Sequence, residues 1–124
     1  MKRSILIVTG ALLLAASPLL AHHGLTTYDT AHLATLKGTV SKFEFINPHA
    51  VVRLEVKDER GQPETWAAEI APPAMLYRIG WDKNTLKSGD AITVSGYPAK
   101  DGSRLLSVRK LILPNGQELN QAPK

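Results

Sequence analysis

Three histidines are the residues of this sequence with the clearest potential for chemistry. His22 and His23 follow Ala21 directly, and His49 follows an Asn-Pro pair. A protein that begins at His22 would offer its free α-amine and a ring nitrogen to one metal ion, and His23 would add a second ring. Sites rich in nitrogen and without thiolate suit Cu(II) or Ni(II), and Zn(II) where imidazoles dominate. We take copper as the first candidate, with His49 as a third ligand.

Each of these histidines also has an interpretation without metal. The first residues of most domains are poorly ordered unless something ties them down, so His22 and His23 could form a frayed end. His49 could simply hold its turn by a hydrogen bond, and Asn47 is best explained as a turn residue that bonds to nearby backbone. His32 is a weaker ligand candidate. The spacing of the histidines alone does not separate these interpretations.

The metal hypothesis depends on the first 21 residues, which have the three parts of a secretory signal peptide. Lys2 and Arg3 give a basic start, residues 5–16 are uncharged and mostly apolar, and the stretch ends at Ala21. A spanning helix needs about 20 apolar residues, so a retained membrane anchor is the less favoured alternative. The predicted cut follows Ala21, although Leu19 is bulky for its position before that bond. We expect a periplasmic protein without stable membrane insertion after processing.

Composition restricts the mature protein further. Removal of residues 1–21 leaves 103 of the 124 residues, enough for one domain with one core. The loss of Lys2 and Arg3 lowers the basic residues from 15 to 13 against 11 acidic ones, a net charge of +2. This near balance argues against nucleic acid as a partner. The sequence contains no cysteine, which excludes disulfides, free thiols and thiolate metal sites.

Alternating apolar residues predict five strands and one short helix. The first strand runs from about Leu36 to Ile46. Leu36 and Val40 fall on one side of the alternating pattern, whereas Phe43 and Phe45 fall on the other. This change of side predicts a bulge or bend in the strand, which Gly38 would ease. The remaining predicted elements are, in chain order, strands 49–57 and 64–70, a helix that starts at Pro72-Pro73 and ends at Gly80, and strands 91–97 and 105–113.

Three strands, a short helix and two further strands are the element order of the OB-fold, a five-stranded barrel. We therefore predict a mainly β, OB-like domain over residues 36–116, with an extended segment over 22–35 and a polar tail over 117–124. An open five-stranded sheet or a sandwich, capped by the helix, is the main alternative. In an OB-fold, the loop that carries His49 would border the binding face.

Several segments resemble a known protein family. They are the start Ala21-His22-His23-Gly24, the strand segment 38–45, the motif Asn47-Pro48-His49-Ala50, Thr65-Trp66-Ala67 and the stretch 89–103. Together they are similar to a family of small exported, mostly proteobacterial proteins classified as a domain of unknown function. The resemblance implies export and a compact β-rich fold, and it brings no assigned activity or catalytic residues. Members often have Ser in place of Gly24 and Trp in place of Phe45, and neither difference affects the histidines.

Other function classes have weaker support in the sequence. Phe43, Phe45 and Trp66 could stack bases as in OB-folds that bind single strands, but we expect most of these aromatic residues in the core. No serine lies in a nucleophile-elbow context, and no glycine-rich phosphate loop precedes a helix. A carboxylate pair such as Glu44 and Glu69 would have to form in three dimensions.

The sequence therefore predicts an exported, non-enzymatic binding or accessory module that could hold copper through His22, His23 and His49. The alternative is a structural or protein-interaction module, without metal, whose partner is a protein of the cell envelope.

Overall fold

Six β-strands and one short α-helix form the part of the chain that the computed structural model describes, residues 27–121. The elements are β1 (Ala34–Glu44), β2 (Val51–Lys57), β3 (Pro63–Glu69), α1 (Pro73–Arg78), β4 (Ala91–Pro98), β5 (Leu105–Ile112) and β6 (Glu118–Asn120). The five predicted strands and the helix are all present in the predicted order. The structure adds β6, for which the sequence gives no strand signal.

The first five strands close into a barrel. β1 pairs antiparallel with both β2 and β4, β2 pairs with β3, and β4 pairs with β5. A parallel pairing of β3 with β5, in which residues 67–69 lie beside residues 105–107, joins the two ends of the sheet. This closure is the one expected of a five-stranded OB barrel. The predicted architecture is confirmed, and the open sheet and the sandwich are wrong.

A bulge in β1 bends this long strand so that it can pair with two neighbours. The register of β1 against β2 shifts between Val40 and Lys42, where the apolar pattern changes parity. Val40 before the shift is buried, and Phe43 after it still packs against the core. A Cβ on Gly38 would lie 2.6 Å from the carbonyl oxygen of Glu55, so this glycine allows β1 and β2 to approach closely. The predicted bulge is confirmed.

Helix α1 packs against the core through one buried side. Pro72 precedes the helix and Pro73 begins it, where a missing N–H has no helical partner to lose. Gly80 takes a positive φ of 83°, and the N–H of Trp81 donates to the carbonyl oxygen of Leu76 at 3.0 Å. This is the hydrogen-bond pattern of a Schellman stop. Leu76 and Trp81 are both buried, and the helix stops at Gly80 as predicted.

A second bulge lies where β4 meets β5. The register shifts between Ser95 and Gly96, so Arg109 of β5 has no partner in β4. A Cβ on Gly96 would stand well inside contact distance of the carbonyl oxygen of Ser107, and 2.9 Å from the Cα of Val108. Both of these neighbouring atoms belong to the backbone. The two strands are therefore in direct contact at this glycine.

The core lies inside the barrel and beneath α1. Its largest fully buried side chains are Val40, Val52, Leu54, Ile70, Leu76, Val94, Leu106, Val108 and Leu111. β6 extends the sheet by pairing with the second half of β5. Within residues 27–121, no helix has the length and apolar character needed to cross a membrane.

Candidate functional site

His49 lies in the loop between β1 and β2, directly after the cis peptide bond of Asn47-Pro48. The residue is exposed, but its Nδ1 lies 3.2 Å from the carbonyl oxygen of Ile70. The end of the loop is fixed as well, because the N–H of Ile70 donates to the carbonyl oxygen of Ala50 at 2.9 Å. The His49 ring is therefore held beside the end of β3.

This contact determines which nitrogen of the His49 ring is available to a ligand. A carbonyl oxygen can only accept, so Nδ1 carries the hydrogen and donates it to Ile70. In the neutral ring, Nε2 then has the lone pair. Metal-binding histidines commonly have this arrangement, with one nitrogen on the metal and the other donating to a carbonyl or a carboxylate. The turn-holding hydrogen bond considered as the alternative role of His49 is present, and it is also compatible with metal binding.

The described chain begins with a segment tied to the end of β4. Tyr28 forms a β-bridge with Ala99, and backbone hydrogen bonds of 2.8 and 2.9 Å flank this bridge. The Tyr28 side chain is buried, and its hydroxyl donates to Oε2 of Glu69 at 2.6 Å. Burial raises the pKa of Tyr28, and the adjacent carboxylate raises it further. His22 and His23, the other predicted ligands, lie outside the described residues.

The two carboxylates considered as a catalytic pair have different partners. Glu44 and Glu69 both pair with Val51 of β2, from opposite sides. Neighbouring strands lie about 4.8 Å apart, so the two backbones are separated by about 10 Å. Hydrogen bonds from Lys42 and then Arg53 lower the pKa of Glu44, whereas a general acid or base at neutral pH needs a raised one. This geometry does not favour an acid–base pair.

His32 lies at the surface, with its side chain 79% exposed, and pairs with Asp29. The Nδ1 of His32 is 2.7 Å from Oδ2 of Asp29, and this hydrogen bond lowers the pKa of the carboxyl. Across residues 27–121, no group of three or more His, Cys, Asp or Glu side chains could hold a metal ion. A site with three such ligands that includes His49 therefore needs donors from outside this range.

The aromatic residues considered for base stacking are packing residues. Phe43, Phe45 and Trp66 are partly buried against the core. Phe43 and Phe45 meet edge to face with their centroids 5.6 Å apart, and Phe45 contacts Tyr77 of α1 in the same way at 5.0 Å. This agrees with the expectation that most of these rings belong to the core.

Sequence reasoning missed an exposed apolar surface around α1. We define the α1 surface as the four exposed side chains Ile46, Met75, Tyr77 and Ile79. Met75 and Tyr77 lie on the helix, Ile79 is its C-cap, and Ile46 lies in the loop that carries His49. A signal was present in the sequence, because a short helix that is apolar on several sides can bury only one of them.

Comparison with known proteins supports the fold and identifies a family. No curated protein matches this chain. A chain in the crystal structure of TiaS in complex with an isoleucine tRNA and ATP is similar, with a TM-score of 0.50 and 17% sequence identity. The match covers 68% of this chain and 18% of that chain, and at this identity it shows the fold alone. A family of unknown function, DUF6152, matches residues 11–107. The chain belongs to this family, which confirms the resemblance to a domain of unknown function.

Proposed function

We propose that this protein is an exported, non-enzymatic binding module that holds a copper ion through His22, His23 and His49. One observation carries the metal part of the proposal. Nδ1 of His49 donates to the carbonyl oxygen of Ile70, which leaves Nε2 with its lone pair on an exposed and oriented residue. A side chain that is already oriented loses less conformational entropy when it binds an ion.

The terminal histidines supply the remaining donors. Cleavage after Ala21 gives His22 a free α-amine, whose nitrogen can bind a metal ion in its unprotonated form. Together with the rings of His22 and His23, it forms a donor set of nitrogen atoms only. Mg²⁺ and Ca²⁺ prefer oxygen ligands, whereas such nitrogen donors suit Cu(II). Nucleic acid is not among the proposed partners, because the mature charge is close to balanced.

The terminal segment must turn back to bring these donors to His49. At Tyr28 the chain runs along the end of β4. The Tyr28 hydroxyl reaches Glu69, which directly precedes Ile70, the residue whose carbonyl oxygen accepts the hydrogen bond from His49. His23 precedes Tyr28 by five residues, a length that spans at most about 18 Å. The proposal requires a turn within this length, and Gly24 is the residue there that would most easily allow one.

Calorimetric titration with Cu(II) tests the proposed site, on untagged protein that begins at His22. We expect one ion per chain, and we expect His49→Gln to weaken binding by roughly tenfold, or about 1.4 kcal/mol. Protein that begins at Gly24 should bind still more weakly. His32→Gln is the matched control, because His32 is exposed and pairs with Asp29. Undiminished binding by the protein that begins at Gly24 would contradict the proposal, and undiminished binding by His49→Gln would remove the third ligand.

Export and cleavage need a separate measurement. Mass spectrometry of the native protein from the periplasmic fraction should give a chain that begins at His22. A first residue of His23 or later would remove the proposed amine donor of His22. Uncleaved protein in the membrane fraction would contradict export of a processed chain.

The exposed apolar side chains favour a second candidate function, a structural or protein-interaction module of the envelope. Four such side chains form the α1 surface defined above, and Tyr77 among them is 61% exposed. A photoreactive amino acid placed at position 77 should then crosslink one envelope protein in cells. The same amino acid at Asn115, in an exposed turn, is the control. Equal crosslinking at both positions, or none at position 77, would contradict this candidate.

A further inference from the structure

A cleft opens where β1 and β2 separate, at the C-terminal end of β2. The pairing between the two strands begins at Thr39 and Glu55. Residues 35–37 and 56–60 therefore lie on either side of an opening of about 790 Å³. This volume lies within the range of about 300–1,000 Å³ that is usual for small-molecule sites. We call this opening the β1–β2 cleft.

The floor of the β1–β2 cleft is apolar and includes an oriented indole. Leu36, Val56 and Trp66 line the cleft and are partly buried against the core. Arg104 donates a hydrogen bond of 2.7 Å to the carboxylate of Glu64, and this contact is the largest effect that lowers the pKa of Glu64, with a smaller effect from Trp66. The Trp66 ring packs against the core on one side and lies at the cleft on the other. A fixed aromatic ring beside aliphatic side chains favours a planar apolar ligand group.

The rim of the β1–β2 cleft carries basic groups without ion-pair partners among residues 27–121. These groups are Lys37, Lys57 and Arg60. Among the acidic side chains at the cleft, Glu64 is neutralised by its ion pair with an arginine, whereas Asp58 accepts backbone N–H groups of its own turn and keeps its charge. Glu59 is the remaining acidic side chain. Among residues 27–121, the three basic groups at the cleft outnumber the two acidic side chains without an ion-pair partner, Asp58 and Glu59, and this small positive excess favours an anion.

We propose that the β1–β2 cleft binds a small planar aromatic molecule that carries an anionic group such as a carboxylate. The ring would pack on Leu36, Val56 and Trp66, and the anionic group would lie near Lys37 and Lys57. The aromatic part gains from removal of apolar surface from water, and the two lysines discriminate against neutral molecules of the same shape. This site shares no residue with the proposed copper site and does not depend on it.

The two tryptophans of the sequence allow a direct test by NMR with 2-naphthoate as the probe. The indole N–H signal of Trp66 should move with saturating concentration dependence, whereas that of Trp81, which is buried in the core, should stay in place. The neutral 2-naphthamide has nearly the same shape and should bind several-fold more weakly. An unmoved Trp66 signal, or equal affinity for the acid and the amide, would overturn the proposal.

Lysine variants test the charge contribution. Lys37→Gln and Lys57→Gln should each weaken naphthoate binding by roughly two- to fivefold, the range expected for exposed charge pairs, and should leave naphthamide binding unchanged. Lys42→Gln is the control, because Lys42 lies on the same strand but pairs with Glu44. Equal effects of all three substitutions would overturn the proposed position of the anion. Unchanged signals from the core residues would confirm that each variant is folded.

Discussion

A single methyl group at Gly96 should disrupt the junction of β4 and β5. The Cβ of an alanine there would stand inside contact distance of the carbonyl oxygen of Ser107, 2.8 Å from its carbonyl carbon and 2.9 Å from the Cα of Val108. Favourable contacts between carbon atoms lie at about 3.5–4.0 Å. The neighbouring atoms are backbone and cannot rotate away, so the two strands must separate by up to about 1 Å.

The loss of unfolding free energy caused by this separation depends on the core packing and the hydrogen bonds that β4 and β5 support. Val94 and Val108 beside the contact are buried in the core, so the displacement also disturbs packing. Overpacking of a core costs about 1–3 kcal/mol, and weakening of each ladder hydrogen bond adds about 1 kcal/mol. We expect Gly96→Ala to lose about 3–4 kcal/mol of unfolding free energy, from a total of about 5–15 kcal/mol for a typical domain.

Urea denaturation followed by tryptophan fluorescence measures this loss. With a slope of about 1–1.5 kcal/mol per molar urea, the midpoint should fall by roughly 2–4 M. Gly61→Ala is the matched control, since nothing lies within 4 Å of its Cβ and only its positive φ of 77° is unfavourable. That conformation costs about 1–2 kcal/mol. Gly38→Ala should fall between the two, and equal midpoints for Gly96→Ala and Gly61→Ala would refute the direct contact of β4 with β5.

Three further perturbations test the packing and the polar contacts of the barrel. Leu76→Ala truncates a fully buried side chain of α1 and should lower the unfolding free energy by about 3 kcal/mol in the same urea titration. A loss below about 1 kcal/mol would show that this side chain does not attach α1 to the core. Tyr28→Phe deletes the donor to Glu69 and should cost about 1–2 kcal/mol at neutral pH. The native pKa of Tyr28 is raised above its unfolded value of about 10, so this contribution is complete below pH 10 and is lost above it. The melting temperatures of the two proteins should therefore converge as the pH rises above 10. A constant difference up to pH 11 would contradict this linkage. Lys42→Gln should raise the pKa of the Glu44 carboxyl toward its usual value in an NMR titration, because the hydrogen bond from Lys42 is the largest effect that lowers this pKa. An unchanged pKa would show that the pair of Lys42 and Glu44 is absent in solution.

Local patterns in the sequence were sufficient to predict most of the barrel. In β2, Val52 and Leu54 are buried while Arg53 and Glu55 are exposed, so the alternation of residue types directly reports the two faces of the strand. The bulge in β1 was predictable for the same reason, because a strand whose apolar residues change parity must gain a residue to keep one face inward. Gly80 marked the end of α1 because the stop requires a positive φ.

Contacts between distant segments were not predictable from these patterns. The hydroxyl of the buried Tyr28 meets Glu69, 41 residues away in the chain, and no spacing in the sequence indicates that pair. β6 has three residues and one buried side chain, Leu119, which is too short for an alternating pattern to be recognised. The sequence identified His49, but its partner is the carbonyl oxygen of Ile70, a group that every residue possesses. The side-chain sequence therefore could not identify the acceptor that orients the ring.

The short strand β6 protects an edge that closure of the barrel leaves open. β5 uses residues 105–107 to pair with β3 and residues 110–112 to pair with β6. Without β6, the backbone groups of the second half of β5 would be free to pair with another polypeptide. Leu119 is buried in the core, and Lys110 bridges to Glu118 at 2.7 Å, so both faces of β6 contribute to its attachment. The residues of β6 thus cover the part of the β5 edge that could otherwise pair with a second polypeptide. An affinity tag would disturb this pairing least if it were placed away from β6.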